Sequence, residues 1–224
     1  MEQTYDIILF GVTGFTGKLA VEHLFERNYK MKWAVSARNA SKAKTILKPL
    51  SLRFPEVPAP PILEADLVCE TTKQEEMLRE IVRQTKVVIT CSGPFEKYSQ
   101  TLVKLCAELG VYYADITGES DFFRQTIERW DKKARESGAV IICHCGNDCI
   151  PSDLTVYEMY KFADDKGYTL KSVMTYEEAS ESASLSGGTA TTAAFQLSKD
   201  RTKPKTNFDP LLTAVSAKRK RFLE

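Results

Sequence analysis

The sequence has almost no net charge and no long apolar segment. Its 31 Lys and Arg residues stand against 30 Asp and Glu, a formal charge of +1. This balance argues against a protein that coats nucleic acid, and 43% hydrophobic residues argue against wholesale disorder. The first residues lack the basic and apolar regions of a signal peptide, and no apolar run approaches the roughly 18 residues that span a bilayer. We therefore expect a soluble intracellular, cytoplasmic chain with no nucleic-acid partner.

The six cysteines lack the spacing of a small disulfide scaffold. Most of them sit inside apolar runs, so we expect reduced thiols. Cys143, His144 and Cys145, with Cys149 nearby, superficially resemble a metal site, but no second Cys or His cluster completes four ligands. We predict no metal centre and interpret these residues as buried thiols at a strand end.

Short apolar runs alternate with amphipathic stretches through the first two thirds of the chain. The predicted strands are residues 5–10, 33–37, 62–65, 87–91, 111–116 and 139–143. The predicted helices between them are residues 18–29, 41–47, 72–84, 98–109 and 122–137, with Ser41 as a helix N-cap and Gly138 closing the last helix. Because the strands are continuously apolar and each is followed by a helix, the pattern predicts an α/β fold with a doubly wound, mostly parallel Rossmann sheet.

The pattern changes after Pro151. Helices are predicted at residues 153–162 and 189–198 and an alternating strand at 170–176, but these do not continue the period. We divide the chain into a cofactor-binding domain (1–154), a partial α+β substrate or dimerisation domain (155–198) and a basic tail (199–224).

The strongest local signal is a glycine-rich turn between the first strand and the first helix. Gly11 permits a tight turn, Gly14 lets the backbone approach a pyrophosphate, and Gly17 allows close helix–strand packing. The residues predicted to hold the pyrophosphate are Gly11, Thr13, Gly14, Phe15, Thr16 and Gly17. The alternative is a strand–helix turn that binds nothing.

The end of the second predicted strand favours NADP(H) over NAD(H). No Asp or Glu occurs between Glu26 and Glu56, where an acidic residue would accept from a ribose 2′-OH, while Arg38 and Asn39 follow the strand. Arg38 suits a 2′-phosphate, with which a guanidinium pairs bidentately. The alternative explanation of the local basic residues is a solvated helix face.

Two further strand ends contribute candidate cofactor contacts. Asp66 follows the third strand and is predicted to contact the adenine side, or alternatively to cap a helix. Ser92, Gly93 and Pro94 follow the fourth strand, where glycine permits close approach of the cofactor and proline stiffens the turn. We assign them to the nicotinamide side.

Catalytic residues are poorly defined by the pattern. Residues 115–119 and 145–153 follow the last two strands and are candidates for the floor and wall of a substrate cleft. Tyr98 and Asp153 are weak candidates for the proton donor, because each follows a strand end by a few residues. The spacing of Tyr157 and Lys161 matches a dehydrogenase pair, but chance explains one such match.

Six ordered motifs together resemble the saccharopine dehydrogenase-like oxidoreductases, whose members include trans-acting enoyl reductases of bacterial lipid synthesis. These motifs are residues 11–17, 37–39, 92–95, 113–119, 145–154 and 186–189. The resemblance implies an NADP-binding Rossmann domain followed by a second α+β domain. Because family members are longer, it also implies that this chain is shortened at its C-terminus.

The resemblance also suggests a function. It implies an NADP(H)-dependent oxidoreductase that reduces an enoyl or carbonyl group of a small-molecule or lipid-linked substrate. For eukaryotic members it implies association with lipid droplets or other membranes, and we consider a homodimer formed through the second domain. The alternative function is a catalytically inactive NADP-binding sensor or scaffold.

Overall fold

The computed structural model describes residues 3–176 and 187–198, and within them six parallel strands form one sheet. The strands are β1 (Tyr5–Phe10), β2 (Trp33–Ala37), β3 (Ile62–Glu64), β4 (Thr85–Thr90), β5 (Tyr112–Asp115) and β6 (Ile141–Ile142). Their order, β3-β2-β1-β4-β5-β6, places β1 at the centre, and the chain changes direction across the sheet between β3 and β4. This confirms the predicted Rossmann-type fold class.

Helices cover both faces of the sheet. They are α1 (Phe15–Arg27), α2 (Ala40–Arg53), α3 (Thr72–Val82), α4 (Phe95–Tyr98), α5 (Gln100–Leu109), α6 (Ser120–Ser137), α7 (Ile150–Asp165) and α8 (Gly187–Leu197). Successive side chains of β1 enter different cores, because strand side chains alternate between faces. Ile8 packs with residues of α3, α5 and α6, whereas Leu9 packs with residues of α1 and α2. Burial on both faces explains the continuous apolar strands.

The second helix differs from the prediction at both ends. Ser41 is not the N-cap: Asn39 holds that position, and its Oδ1 accepts a hydrogen bond from the backbone N–H of Lys42 at 2.8 Å. The helix also continues through Pro49 to Arg53. Leu47 and Leu50 lie on the same buried face on either side of the proline, and this packing favours continuation over a break.

The predicted strand at residues 170–176 is wrong. These residues form neither strand nor helix, and Tyr176 is 88% exposed. An alternating pattern becomes a strand only when a neighbour accepts its backbone hydrogen bonds, and the described part of the chain supplies none there. The α8 helix agrees with the predicted one to within two residues. The predicted tail, 199–224, lies outside the described residues.

Two other predictions agree with the structure. Gly138 ends α6 in the left-handed conformation, with φ +81°, and all six cysteines are free thiols. Within residues 3–176 and 187–198, no helix is both long enough and apolar enough to cross a bilayer.

Candidate functional site

A pocket of about 340 Å³ opens at the carboxyl edge of the sheet. Its lining includes ten of the predicted cofactor residues: Gly11, Thr13, Gly14, Phe15, Thr16, Arg38, Asn39, Asp66, Ser92 and Gly93. Tyr98 lines it as well. Gly17 and Pro94 do not line the pocket, and both are buried behind it. The pocket therefore joins the ends of β1, β2, β3 and β4 in one crevice, where dinucleotides bind in open α/β sheets.

The glycine turn is closed by contacts that leave no room for side chains. Gly11 has φ +85°, and a Cβ there would lie 2.6 Å from Ser92 Oγ. A Cβ on Gly17 would lie only 2.1 Å from the Gly11 carbonyl oxygen. Gly17 thus allows α1 to pack against the turn, and it shapes the pocket without lining it.

The N-terminus of α1 points its free backbone donors toward the pocket. Gly14 is the N-cap and makes no side-chain cap hydrogen bond, and the first turn contains no acidic residue. The backbone N–H groups of a first helical turn have no partner within the helix, and the helix dipole favours an anion beside them. This end of α1 has the donor set that binds a pyrophosphate.

The β2 and β3 ends form a basic corner of the pocket. The Arg38 guanidinium is 76% exposed and lies 3.9 Å from Asp66 Oδ2. Asp66 Oδ1 accepts from the backbone N–H of Val68 at 3.0 Å, and Thr71 caps α3, so the alternative prediction of Asp66 as a helix cap is wrong. Lys42, in the first turn of α2, lines the same corner.

The sequence analysis did not identify Ser36, a polar residue in this corner of the pocket. Ser36 is fully buried, lines the pocket, and its Oγ has no hydrogen-bond partner. A buried hydroxyl without a partner is unfavourable, and a ligand hydroxyl or phosphate oxygen in the pocket would supply one. The unpaired Ser36 hydroxyl, the close-packed glycine turn and the open α1 terminus together fit a dinucleotide. Ser36 lies inside β2, and its lack of a hydrogen-bond partner is visible only in the structure.

The β4 end of the pocket is nearly neutral. The backbone N–H of Ser92 donates to Thr90 Oγ1 at 3.2 Å, and Gly93 and Tyr98 complete this wall. Cys91, also missed from the sequence, lines the pocket, and its burial together with the nearby Asp115 carboxylate raises the pKa of its thiol to about 11. The Cys91 thiol therefore stays protonated and uncharged at neutral pH.

Residues 115–119 form a buried polar network beside this wall. Asp115 accepts hydrogen bonds from Tyr113 Oη at 2.8 Å and from the backbone N–H groups of Thr117 at 3.0 Å and His144 at 3.2 Å. Burial raises the pKa of Asp115, although these donors act in the opposite direction. Glu119 is also buried, and its carboxylate bonds to the start of α4. Neither carboxyl lines the pocket.

Residues 145–153 adjoin this network through the backbone N–H of Cys145, which donates to the Asp115 carbonyl oxygen at 2.7 Å. His144 has φ +64°, and its Nδ1 lies 2.7 Å from the Thr117 carbonyl oxygen, so Nδ1 carries the proton and donates it. Asp153 is exposed in the first turn of α7 and lies outside the pocket lining. In the described ranges, no group of three His, Cys, Asp or Glu side chains has the geometry to hold a metal.

Comparison with known proteins identifies the domain. Residues 7–142 match the model of the saccharopine dehydrogenase NADP-binding domain. A trans-acting enoyl reductase of Mycobacterium bovis is 37% identical over 166 residues, which cover 74% of this chain and 38% of the relative. A second trans-acting enoyl reductase, from Mycobacterium leprae, is 36% identical over 160 residues, covering 71% of this chain and 36% of the relative. The chain therefore spans less than two fifths of these relatives.

A solved structure shares the fold. The apo saccharopine dehydrogenase (L-Glu forming) of Saccharomyces cerevisiae has a TM-score of 0.56 and 16% identity, covering 73% of this chain and 32% of that protein. Residues 7–142, which match the family model, contain the crevice and all of the sheet except the first two residues of β1, and the cofactor of the domain is NADP(H). The chain belongs to the saccharopine dehydrogenase NADP-binding domain family.

Proposed function

We propose that this chain is the cofactor-binding part of an NADP(H)-dependent oxidoreductase that reduces an enoyl group of a lipid-related substrate. The observation that carries the proposal is the pocket itself, which combines the glycine turn with a basic corner at one end and a neutral wall at the other. The relatives named trans-acting enoyl reductases support the reaction type. Bound NADPH supplies a hydride, and the chain's own residues hold and orient it.

The basic corner is assigned to the 2′-phosphate end of the cofactor. Arg38 is exposed, and Asp66 at 3.9 Å is its one acidic neighbour among the described residues, so its guanidinium can turn onto a phosphate and pair with two of its oxygens. Asn39 and Asp66 border the same corner, and Gly11, Gly14 and the first turn of α1 hold the pyrophosphate.

The neutral wall is assigned to the nicotinamide end. Ser92 and Gly93 let the cofactor approach the backbone, and Pro94 stays behind them as support. Tyr98 lies on this wall, so it is the better placed of the two predicted proton donors, and Asp153 would need another element to bring it near. A protonated Cys91 adds no charge where a hydride must leave.

The second region supports a lipid-related substrate. An apolar groove of about 590 Å³ lies along α7 and the segment after it, and among its lining residues are Leu154, Met159, Phe162 and Leu170. We propose that residues 155–198 contribute to the substrate or to a dimer interface. Membrane or lipid-droplet association remains a further part of this proposal, for which the exposed apolar side chains of α7 are the support.

The first test is a titration of the full chain with NADPH and NADH, followed by tryptophan quenching and energy transfer. We expect tight NADPH binding and weak NADH binding, after which an acyl thioester with a conjugated double bond should consume NADPH. Comparable affinity for both cofactors would contradict the assignment of Arg38. No binding by a folded chain would overturn the proposed function.

The alternative function is an NADP-binding sensor or scaffold. It requires only the cofactor pocket, all of whose lining residues lie within residues 10–98. NADPH binding without consumption of NADPH by any enoyl or carbonyl substrate would favour this alternative.

A further inference from the structure

We propose that Glu119 is a positioning residue for the nicotinamide end of NADP(H). Its carboxylate fixes the wall formed by Gly93 and Tyr98 without touching the cofactor. The inference rests on the proposed function, because it assumes that this wall receives the nicotinamide. It concerns a residue whose role was expected to lie in the substrate cleft.

The carboxylate of Glu119 is buried and bonded to backbone donors. The residue is 3% exposed. Its Oε1 accepts from the N–H of Phe95 at 2.7 Å, and its Oε2 accepts from the N–H of Glu96 at 3.0 Å. Each carboxylate oxygen therefore holds one of the first two backbone donors of α4, the residues that directly follow Gly93 and Pro94.

These two bonds hold the two backbone N–H groups that flank the Phe95 Cα, and so they fix the residue that supports the pocket wall. The Phe95 ring lies directly under Gly93, since a Cβ on Gly93 would be 3.2 Å from ring atom Cε2. The same ring packs against Phe122 of α6 with centroids 6.2 Å apart. The backbone N–H of Tyr98 donates to the Pro94 carbonyl at 3.0 Å, so the position of Tyr98 follows from that of the turn.

Glu119 is itself held by the network below it. Its backbone N–H donates to Thr117 Oγ1 at 3.0 Å, and the N–H of Thr117 donates to Asp115 Oδ1 at 3.0 Å. Glu119 thus connects the end of β5 to the wall that follows β4. Within the described residues the carboxylate forms no ion pair with Lys or Arg, so the two N–H groups are its principal partners.

This arrangement gives Glu119 a selective effect on one end of the cofactor. A buried carboxylate that accepts two backbone hydrogen bonds restricts the motion of both residues. Replacement by glutamine leaves one oxygen acceptor and directs an NH₂ donor at a backbone N–H, so one of the two bonds is lost. The wall at Gly93 and Tyr98 then loses its fixed position, while Arg38 and the α1 terminus are unchanged.

The test compares NADPH with 2′,5′-ADP, which carries the phosphates of the adenosine end and no nicotinamide. For Glu119→Gln in the full chain we expect NADPH affinity to fall about tenfold, while 2′,5′-ADP affinity stays within about twofold. The emission of the bound dihydronicotinamide ring should also decrease, because that ring is less well held. A residue that only stabilised the fold would weaken both ligands together.

Two control variants distinguish a positioning role of Glu119 from an effect on protein stability and from an effect of lost charge. Thr85→Val removes a buried hydroxyl that bonds to the Val87 backbone at the opposite, amino end of β4, and it should lower the melting temperature without changing the ratio of the two affinities. Glu136→Gln removes an exposed carboxylate at the far end of α6, outside the pocket lining, and keeps the two bonds to Glu119. It should leave both affinities unchanged.

A third variant keeps the proposal testable if Glu119→Gln does not fold. Thr117→Val removes the acceptor for the Glu119 N–H, and it should weaken NADPH selectively but by less. Equal losses of NADPH and 2′,5′-ADP, or an unchanged NADPH affinity in a folded variant, would overturn the role of Glu119. A wild-type chain that binds no NADPH would overturn the proposed function as well, so the two failures are distinguishable.

Discussion

The two ends of the pocket use opposite electrostatic arrangements. At the β2 end, the Arg38 side chain is 76% exposed, and its guanidinium lies 3.9 Å from the Asp66 carboxylate. Beside the β4 end, Asp115 and Glu119 are 1% and 3% exposed, and their carboxylates accept hydrogen bonds from backbone N–H groups. An exposed charge can be changed with little effect on the fold, whereas a buried one is part of the fold. Substitutions at the β2 end should therefore change cofactor binding without changing stability. Substitutions of the buried carboxylates beside the β4 end should change both.

The largest expected effect comes from the turn that both ends share. In Gly17→Ala, the new Cβ would lie 2.1 Å from a backbone oxygen, so the turn must move. We expect loss of measurable NADPH binding and a decrease of about 3 kcal/mol in the free energy of unfolding. Titration and thermal unfolding by circular dichroism measure both quantities.

Gly187→Ala is the matched control for that substitution, because a Cβ there meets no described residue within 4 Å. It should leave NADPH binding unchanged. If Gly17→Ala bound NADPH normally, the close packing of α1 on the turn would not be needed for the site.

The next largest effect is expected at the exposed end. Arg38→Ala should lower NADPH affinity by about ten- to a hundredfold, since a charge-assisted pair with a phosphate is lost, and should leave NADH affinity within about twofold. The melting temperature should not change. Lys44→Ala, on the helix α2 that follows Arg38 but outside the pocket lining, is the control. An unchanged preference between the two cofactors would remove the basis for assigning this corner to the 2′-phosphate.

The smallest effect is a pH dependence at the buried end. Because burial raises the folded-state pKa of Asp115 above 3.8, its contribution to stability is greatest below that value and is lost as pH rises through the folded pKa. Asp115→Asn keeps an oxygen for the Thr117 and His144 N–H groups and places an NH₂ donor against Tyr113 Oη. We expect its melting temperature, relative to wild type, to rise between about pH 4 and about pH 7.

Asp6→Asn should show the opposite pH dependence of stability, and it serves as a comparison for Asp115→Asn. The pKa of Asp6 is lowered, chiefly by its hydrogen bond with Lys86, so its contribution is present above the unfolded pKa and is lost as pH falls. This variant should lose stability relative to wild type as pH rises across the unfolded value of 3.8, and the difference should change little above about pH 5. Parallel pH curves for the two variants would contradict the assigned environment of Asp115.

The sequence was sufficient to predict the sheet because its strands are buried on both faces and so consist of continuous apolar residues, such as those of β1. It was also sufficient for the glycine turn, whose spacing directly reflects backbone geometry. The end of α2 was not predictable from local rules, because packing of Leu50 outweighs the proline at position 49. The strand expected at 170–176 depended on a partner that the local pattern does not encode.

The sequence could predict only those site residues that line the pocket themselves and that stand in a recognisable motif. Arg38 and Ser92 follow strand ends and were found in this way. Ser36 lies within a strand, and its unpaired hydroxyl is recognisable only once the surrounding atoms are placed. Glu119 acts through bonds to residues 23 and 24 positions earlier in the chain, a relation that spacing alone does not reveal.

The central position of β1 has a consequence for how the chain folds during synthesis. Tyr5 of β1 pairs with Thr85 of β4. About 80 further residues must therefore be synthesised before β1 can pair with β4, its second neighbour in the sheet. The pocket is lined both by the turn after β1 and by Ser92 after β4, so the cofactor assigned to it would bind only after this pairing is made. Free NADPH at about 100 times its dissociation constant would add about 2.7 kcal/mol to the folded state. In a cell, the supply of reduced cofactor would then help to determine how much of the newly made chain escapes proteolysis.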